Sequence, residues 1–292
     1  MAPRGARARH PVGHALARGC LRAAHPPRRR GHAGRNGAPA ERSATVTRTQ
    51  LIRAWHITLK DIRTYYLKPP LISWGILLPA VFILAFYLRA PGDIHTVAPG
   101  LIGLTVLFGA TSVEAVVIAF EKRTGGLERL LMAPLAPEAL LVAKAASGAI
   151  FGIVTGTVVW LLSTVAWSLP LAYGAPLLVI MLGSVTFSLL GVLISLVMRE
   201  VFDAMTVSNL LRFPMIFLSG VFVPIAGLAL PLQVVASLLP LSYTVDALRH
   251  LLLGGSQTFY PLWLDLAVSA SFAIALYATA LALLRRRLED LL

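Results

Sequence analysis

Long apolar runs separated by short polar stretches dominate this chain of 292 residues. A helix needs about 20 apolar residues to cross the roughly 30 Å of hydrocarbon in a bilayer. Six runs meet or approach this length: residues 71–88, 97–119, 145–169, 175–198, 204–223 and 266–284. None of them has the period-two alternation of apolar and polar residues that marks the strands of a membrane barrel. The pattern predicts an all-α membrane protein with six transmembrane helices.

A shorter helical pattern precedes the first run. Between Thr49 and Leu67, apolar residues recur every three or four positions and basic residues occupy the opposite side. The apolar set is Leu51, Ile52, Trp55, Leu59, Ile62 and Tyr66, and the basic set is Arg53, Lys60 and Arg63. This division is typical of a helix that lies in a membrane interface. We therefore predict an N-terminal interfacial amphipathic helix over residues 49–67, ended by the prolines that follow Lys68.

The segment between the fifth and sixth runs, residues 224–261, is moderately apolar and is broken by Pro224, Pro231 and Pro240. Its two uninterrupted pieces, 228–238 and 242–253, are too short to span a bilayer. We predict two short re-entrant or outer-leaflet helices in this segment, on the extracellular side.

Composition and charge narrow the class of protein. Apolar residues make up 57% of the chain and charged residues 13%, which exceeds the apolar share of ordinary soluble domains. The net charge of +13 comes mostly from residues 1–50, which hold eleven Arg and one acid, Glu41. Because residues 1–45 contain no apolar period, we predict a disordered basic leader followed by a six-span domain over residues 46–292. The charge is therefore not read as a nucleic-acid site, and the partner that composition indicates is a lipid bilayer.

The remaining basic residues sort by side of the membrane. They lie before the first run, between the second and third, between the fourth and fifth, and after the sixth, whereas the alternate loops hold only Arg89 and Arg249. Positive residues concentrate in cytoplasmic loops. We therefore expect a multi-pass protein of a bacterial plasma (inner) membrane, with both termini in the cytoplasm.

The loop between the second and third runs carries the most informative segment, residues 121–138. Leu127, Leu130 and Leu131 share one face of a helix, and Glu128 lies off that face in the first turn, where the helix dipole favours an anion. Gly125 and Gly126 precede this helix, and Pro134 ends it. A short helix with one apolar and one charged side, held between two spans, is a surface for a soluble partner.

Catalytic motifs are missing from the sequence. It contains no G-x-x-x-x-G-K-[ST] nucleotide-binding loop, no Cys/His cluster with metal-ligand spacing, and one cysteine, Cys20. We do not expect an enzyme, a metal or a cofactor bound by this chain.

Two ionisable residues fall inside the apolar runs. Glu114 lies seven residues before Glu121, and Arg212 lies nine residues after Asp203, which puts them about 10 and 13 Å from those polar edges. Charges inside membranes usually face the bundle interior with a partner. Glu114 and Arg212 are therefore candidates for an intramembrane pair, either structural, gating or in contact with substrate, and separate side chains that reach the interface are the alternative.

Two motifs carry a resemblance to a known family. The segment with Glu121, Gly125, Leu127, Glu128, Leu130, Leu131 and Pro134 resembles E-x-x-x-G-[TS]-L-E-x-L-L-x-x-P of the membrane permeases of type-2 ATP-binding-cassette (ABC) exporters. Leu218-Ser-Gly-Val-Phe-Val-Pro224, followed by Leu239-Pro-Leu-Ser-Tyr-Thr-Val-Asp-Ala-Leu-Arg249, is similar to the family's closing signature. The likeness covers residues 49–290, and Gly126 departs from it where the family has Thr or Ser.

The resemblance implies a half-transporter. Two permease copies, as a homodimer, would pair above two separate ABC ATPase subunits that bind ATP. Glu121, Gly125, Gly126, Leu127, Glu128, Leu131 and Pro134 would then form the ATPase-coupling segment. The implied function is export of a hydrophobic drug or lipid-linked substrate from the cytoplasm or inner leaflet.

Other functions stay open at the level of sequence. One is a polysaccharide or lipo-oligosaccharide exporter permease. Another is an ion-driven secondary transporter, which would want several intramembrane carboxylates and inverted repeats. A third is a membrane scaffold or immunity protein without transport of its own.

Overall fold

The structure is a computed structural model of the chain. It describes residues 39–66, 94–126, 130, 136–167, 170–198, 200–255 and 257–289, together with scattered positions between 77 and 88. The chain divides at Arg42, and the fold described here is that of the unit Ser43–Leu292.

All regular elements in the described ranges are helices. In chain order they are α1 (Pro39–Asp61), α2 (Ile94–Arg123), α3 (Pro137–Trp167), α4 (Ala175–Val197), α5 (Val201–Leu218), α6 (Leu230–Ala236), α7 (Pro240–Leu253) and α8 (Leu262–Glu289). A π-helical turn, Ile62–Tyr66, extends α1, and short 3-10 turns occupy Ala172–Gly174 and Ile225–Gly227. The predicted all-α class is confirmed for this part of the chain.

Five of these helices, α2 to α5 and α8, are long and apolar enough to cross a membrane. They coincide with the predicted runs at 97–119, 145–169, 175–198, 204–223 and 266–284. The predicted first span, 71–88, lies mostly outside the described residues, although the positions described there are helical. The sixth span therefore stays a prediction.

Two helix boundaries differ from the apolar runs. α3 begins at Pro137, before the run at 145, because proline is favoured in the first turn of a helix and residues 138–144 are good helix formers. α5 ends at Leu218 rather than 223, because Gly220 adopts a φ of +79° in the turn that follows. A window of hydrophobicity does not register either signal.

The core forms around α2 and α4. α2 is apolar around its whole circumference, and Leu101, Ile102, Leu104 and Leu107 are fully buried. A helix that is apolar all round belongs at the centre of a bundle. Phe187 of α4 is likewise fully buried, and both helices pack in one cluster with residues of α3, α5 and α7.

Glycines let α3 approach its neighbours closely. Gly148, Gly152 and Gly156 form two overlapping G-x-x-x-G units, which allow close helix packing. A Cβ on Gly148 would lie 2.8 Å from the Ala110 carbonyl oxygen of α2, and one on Gly152 would lie 2.9 Å from Ser184 Oγ of α4. This glycine stripe is therefore used for packing within the chain.

The predicted short helices between the last two spans are present as α6 and α7. α7 is inserted among the spanning helices, because all its residues from Leu241 to Arg249 are buried. It packs on α2 and α8. The pattern of residues 242–253 is thus that of an internal helix rather than of one resting on a surface.

Two sides of α1 have different environments. The predicted apolar residues Leu51, Ile52 and Trp55 are 63%, 49% and 56% exposed. Ala54, Thr58 and Asp61 share another face and are buried against the bundle. α1 begins at Pro39, within the predicted leader, and residues 1–38 lie outside the described part of the chain.

Candidate functional site

Four charged side chains meet where α1, α2 and α3 come together. Lys144 Nζ lies 2.7 Å from Asp61 Oδ2 and 2.5 Å from Glu121 Oε2. Lys60 Nζ lies 2.7 Å from Glu121 Oε1 and 3.1 Å from Asp61 Oδ1. Two cations and two anions thus alternate in a closed arrangement, which we call the four-charge cluster.

Three members of the cluster are buried. The side chains of Asp61, Lys144 and Glu121 are 1%, 3% and 4% exposed, whereas that of Lys60 is 47% exposed. Buried ions are costly to desolvate and survive when each is paired and hydrogen-bonded. The cluster therefore fixes the relative positions of three helices, because separating any one of them leaves a charge without its partner.

Lys60 is the member in contact with solvent. Burial by itself lowers the pKa of a lysine, but the hydrogen bond to Glu121 and the charges of Asp61 and Glu121 outweigh burial and raise the pKa of Lys60 above its ordinary value. Lys60 therefore stays protonated at any physiological pH.

The next residue along α2 binds a different helix. Lys122 Nζ donates to the carbonyl oxygens of Ser195 and Met198, at 2.8 and 2.5 Å, where α4 ends. A cation is favoured at a helix C-terminus, whose last carbonyls lack partners. Glu121 and Lys122 together tie the end of α2 to α1, α3 and α4.

The chain then turns. Gly125 has a φ of +68° in the turn that follows α2, and Gly126 is helical again. Leu127, Glu128, Leu131 and Pro134, which we predicted as coupling residues, lie outside the described residues. Glu121 is internal, so it holds α2 in place instead of presenting a carboxylate at the surface.

The sequence analysis did not single out two members of the cluster, Asp61 and Lys144. Both carried a detectable signal. Lys144 precedes an apolar run by one residue and lies within a helix that continues into that run, and Asp61 follows Lys60 on a helix with an otherwise basic polar side. A charge in such a position needs a partner nearby.

The intramembrane candidates Glu114 and Arg212 both contact α2 or belong to it. Glu114 Oε1 accepts a hydrogen bond from Ser147 Oγ at 2.6 Å. Arg212 Nε donates to Thr111 Oγ1 at 2.7 Å, one turn before Glu114. The hydrogen bonds of the two candidates lead to different neighbours, so the interaction that we predicted between them is one through space and stays a prediction.

A double-mutant cycle tests that interaction. Glu114→Gln and Arg212→Gln should each lower the thermal unfolding midpoint in detergent, and the double variant should recover part of the loss. Opposite charges in a low-dielectric interior interact beyond hydrogen-bonding distance. We expect a coupling free energy of about 1 kcal/mol, within the range for neighbouring residues. Losses that add within about 0.5 kcal/mol would show that the two charges are independent.

A second polar group ties the far end of the bundle. Asp246 of α7 accepts hydrogen bonds from the backbone of Phe259 and Tyr260, at 2.9 and 2.8 Å. Burial raises the pKa of Asp246, and these hydrogen bonds oppose that rise. Arg249 Nη2 donates to the Gly220 carbonyl at 2.9 Å, in the turn after α5. The closing signature therefore stabilises the connections on both sides of α7.

Known proteins resemble the chain over most of its length. Nodulation protein J of Rhizobium leguminosarum bv. viciae is 28% identical over 208 residues, which cover 68% of this chain and 78% of that protein. The protein named "Probable multidrug ABC transporter permease YbhR" of Escherichia coli K12 is 26% identical over 187 residues, covering 62% of this chain and 51% of YbhR. The chain thus spans about half the length of YbhR.

A family model described as "ABC-2 type transporter" matches residues 53–253. The matched range contains every member of the four-charge cluster, both intramembrane candidates and the hydrogen bonds that join α7 to Gly220. The matched range and the apolar helices together describe a multi-pass membrane protein of the transport class. This chain belongs to the ABC-2 type transporter family.

Proposed function

We propose that this chain is the membrane-spanning permease subunit of an ATP-driven ABC exporter. Members of its family are transport permeases. Its substrate would be a hydrophobic drug or a lipid-linked molecule, taken from the cytoplasm or the inner leaflet. A polysaccharide or lipo-oligosaccharide is the alternative cargo of the same machinery.

The four-charge cluster carries the proposal. It links α1, the end of α2 and the start of α3, and the loop between α2 and α3 contains the coupling segment 121–134. A force applied to that loop by a soluble subunit passes to α1 and α3 through buried ion pairs, which have a preferred geometry and resist separation. Such a link converts movement of an ATPase into movement of spanning helices.

The exposed apolar residues of α1 support an interfacial position for that helix. Leu51, Ile52 and Trp55 face away from the bundle, while Asp61 anchors the opposite face to Lys144. A helix with this arrangement lies in the headgroup region of a bilayer. Residues 49–67 would then move with the cluster along the cytoplasmic surface.

The complete assembly would contain two copies of this permease and two ABC ATPase subunits. ATP would bind to the ATPases, and this chain would bind no cofactor. Both termini would lie in the cytoplasm of a bacterium, on the side of the positive loops. Residues 1–45 would be a leader outside the permease domain 46–292.

Charge reversal in the coupling segment tests the assignment. Glu128→Lys places a cation in the first turn of the coupling helix, where the dipole and an ATPase contact evolved for an anion both oppose it. We expect normal membrane insertion and a roughly tenfold or greater loss of co-purified ATPase, since a wrong charge at an interface costs several kcal/mol.

Glu138→Lys is the matched control. Glu138 forms an exposed pair with Arg285 near the start of α3, and an exposed pair contributes little. This variant should retain the ATPase. Co-purification of the Glu128→Lys permease at the level of the unchanged protein would contradict the role of segment 121–134.

A further inference from the structure

Arg212 lies in the middle of α5, where a cation needs a reason to be. It is 6% exposed. Its Nε donates to Thr111 Oγ1 at 2.7 Å and its Nη1 donates to Asn209 Oδ1 at 3.2 Å. Its guanidinium carbon lies 5.2 Å from the centre of the Phe108 ring. All these partners are electrically neutral.

The positive charge of Arg212 has no carboxylate close to it. The buried ammonium of Lys144 is paired with two carboxylates, whereas among the residues that the structure describes no carboxylate oxygen lies within 4 Å of the Arg212 guanidinium. An arginine does not lose its proton in a protein. A cation that is desolvated and unneutralised in a membrane interior attracts an anion.

Two hydrogen-bond donors on the same face of α5 are unused. Arg212 Nη2 has no acceptor, and neither has the hydroxyl of Ser208, which is 2% exposed. Residues four apart on a helix lie side by side. Buried polar groups are nearly always hydrogen-bonded, so two adjacent donors without acceptors indicate a missing oxygen-bearing group.

An apolar surface lies next to these donors. Leu210, Phe213 and Phe217 form a stripe on α5 and are 68%, 57% and 62% exposed. Asn209 lies between the stripe and the Ser208–Arg212 face on the helical wheel, and it is also exposed. A ligand with an acidic group and an apolar tail would therefore match both parts of the helix.

We propose that Arg212 and Ser208 form an anion-binding subsite of the transport path, and that the substrate is an acidic amphiphile. Its phosphate or carboxylate would accept hydrogen bonds from Arg212 Nη2 and Ser208 Oγ. Its tail would lie along Leu210, Phe213 and Phe217. The donors are covered in this conformation, so the group enters when α5 moves away from α2. This inference rests on the proposed function and specifies its substrate class.

Binding to the full-length permease in nanodiscs, without ATPase, tests the subsite. The probes are dodecyl phosphate, dodecanoate, uncharged dodecyl maltoside and inorganic phosphate, and the signal is intrinsic tryptophan fluorescence. We expect Arg212→Gln to weaken binding of dodecyl phosphate and dodecanoate by roughly tenfold or more, because a hydrogen bond to a charged group is lost. Binding of dodecyl maltoside should not change.

Three further variants make the test specific. Arg212→Lys keeps the charge and should retain most of the affinity for dodecyl phosphate, whereas Ser208→Ala should lose a smaller part of it than Arg212→Gln does. Thr206→Ala is the matched control on the same helix, since its exposed hydroxyl bonds only to the Phe202 carbonyl. It should bind all probes as the unchanged protein does.

Several outcomes would overturn the subsite. One is equal affinity of Arg212→Gln and the unchanged protein for dodecyl phosphate, and another is an equal loss for dodecyl maltoside. Inorganic phosphate binding as tightly as dodecyl phosphate would overturn the amphiphile as substrate class. If Arg212→Gln does not fold, unchanged binding by Ser208→Ala and Arg212→Lys would decide against it. Because no ATPase is present, a failure here differs from a failure of ATPase association with Glu128→Lys.

Discussion

Replacing Lys144 by methionine should lower the free energy of unfolding by about 3–5 kcal/mol, the range for breaking a buried ion pair by removing one partner. Methionine has nearly the volume of lysine but no charge, so Asp61 and Glu121 would stay buried with only Lys60 to neutralise them. Both carboxylates now lie within 2.7 Å of Lys144 Nζ. The check is the thermal unfolding midpoint of the purified permease, followed by size-exclusion chromatography after heating.

Two comparisons separate the charge effect from a general packing effect. Lys60→Met should cost much less, because Lys60 is half exposed and the partly solvated carboxylates can recruit water. Adding Glu121→Gln to Lys144→Met removes one of the two anions and should recover part of the stability. A Lys144→Met protein that unfolds at the temperature of the unchanged permease would show that the four-charge cluster does not hold the helices together.

Replacing Gly148 by leucine should prevent α3 from packing on α2 and α4. A single Cβ at this position would lie 2.5 Å from Ser188 Oγ, 2.6 Å from Glu114 Cγ and 2.8 Å from the Ala110 carbonyl oxygen. The last of these is backbone, which cannot rotate away. Overpacking costs about 1–3 kcal/mol for small additions. We expect that cost for alanine and a loss of folded protein for leucine, measured as monodisperse yield from membranes.

Gly227→Ala is the matched control for this prediction. Its Cβ would meet only Val223 Cγ1, at an ordinary distance of 3.5 Å, in an exposed turn. This variant should give the yield of the unchanged protein. A normal yield of Gly148→Leu would mean that α3 lies further from α2 than the structure places it.

Local composition accounts for the helices and for where most of them lie. Each apolar run from 97 onward corresponds to a spanning helix, because about 20 apolar residues have no stable alternative to a helix in hydrocarbon. The breaks at Pro224 and Pro240 and the pattern between them predicted α6 and α7. These features depend on neighbours in sequence, so the sequence contains them in full.

Close contacts between distant residues were not predictable in this way. Asp61 and Lys144 are 83 residues apart, and Lys60 and Glu121 are 61 apart. Each is a charge near an apolar segment, and from sequence such a charge is equally consistent with a side chain that reaches the interface. Only the packing of α1 against α2 and α3 brings the four together.

The burial of α7 is a second case. Residues 242–253 are too short to span, and their composition is compatible with a helix on a surface or inside a bundle. α7 is internal because Val245 faces Gly103, which leaves room on α2 for its side chain, and because Asp246 and Arg249 find hydrogen-bond partners in two separate loops.

From its residues alone, this chain had to be helical, membrane-spanning and equipped with a short cytoplasmic helix between two spans, because those properties follow from hydrocarbon thickness, helix period and charge sorting. Which charges neutralise one another was decided by the tertiary structure. So was the fact that Arg212 meets only neutral partners on α2. Ion pairing depends on distances of a few ångströms between helices, and those distances are set by how glycines and apolar side chains interlock.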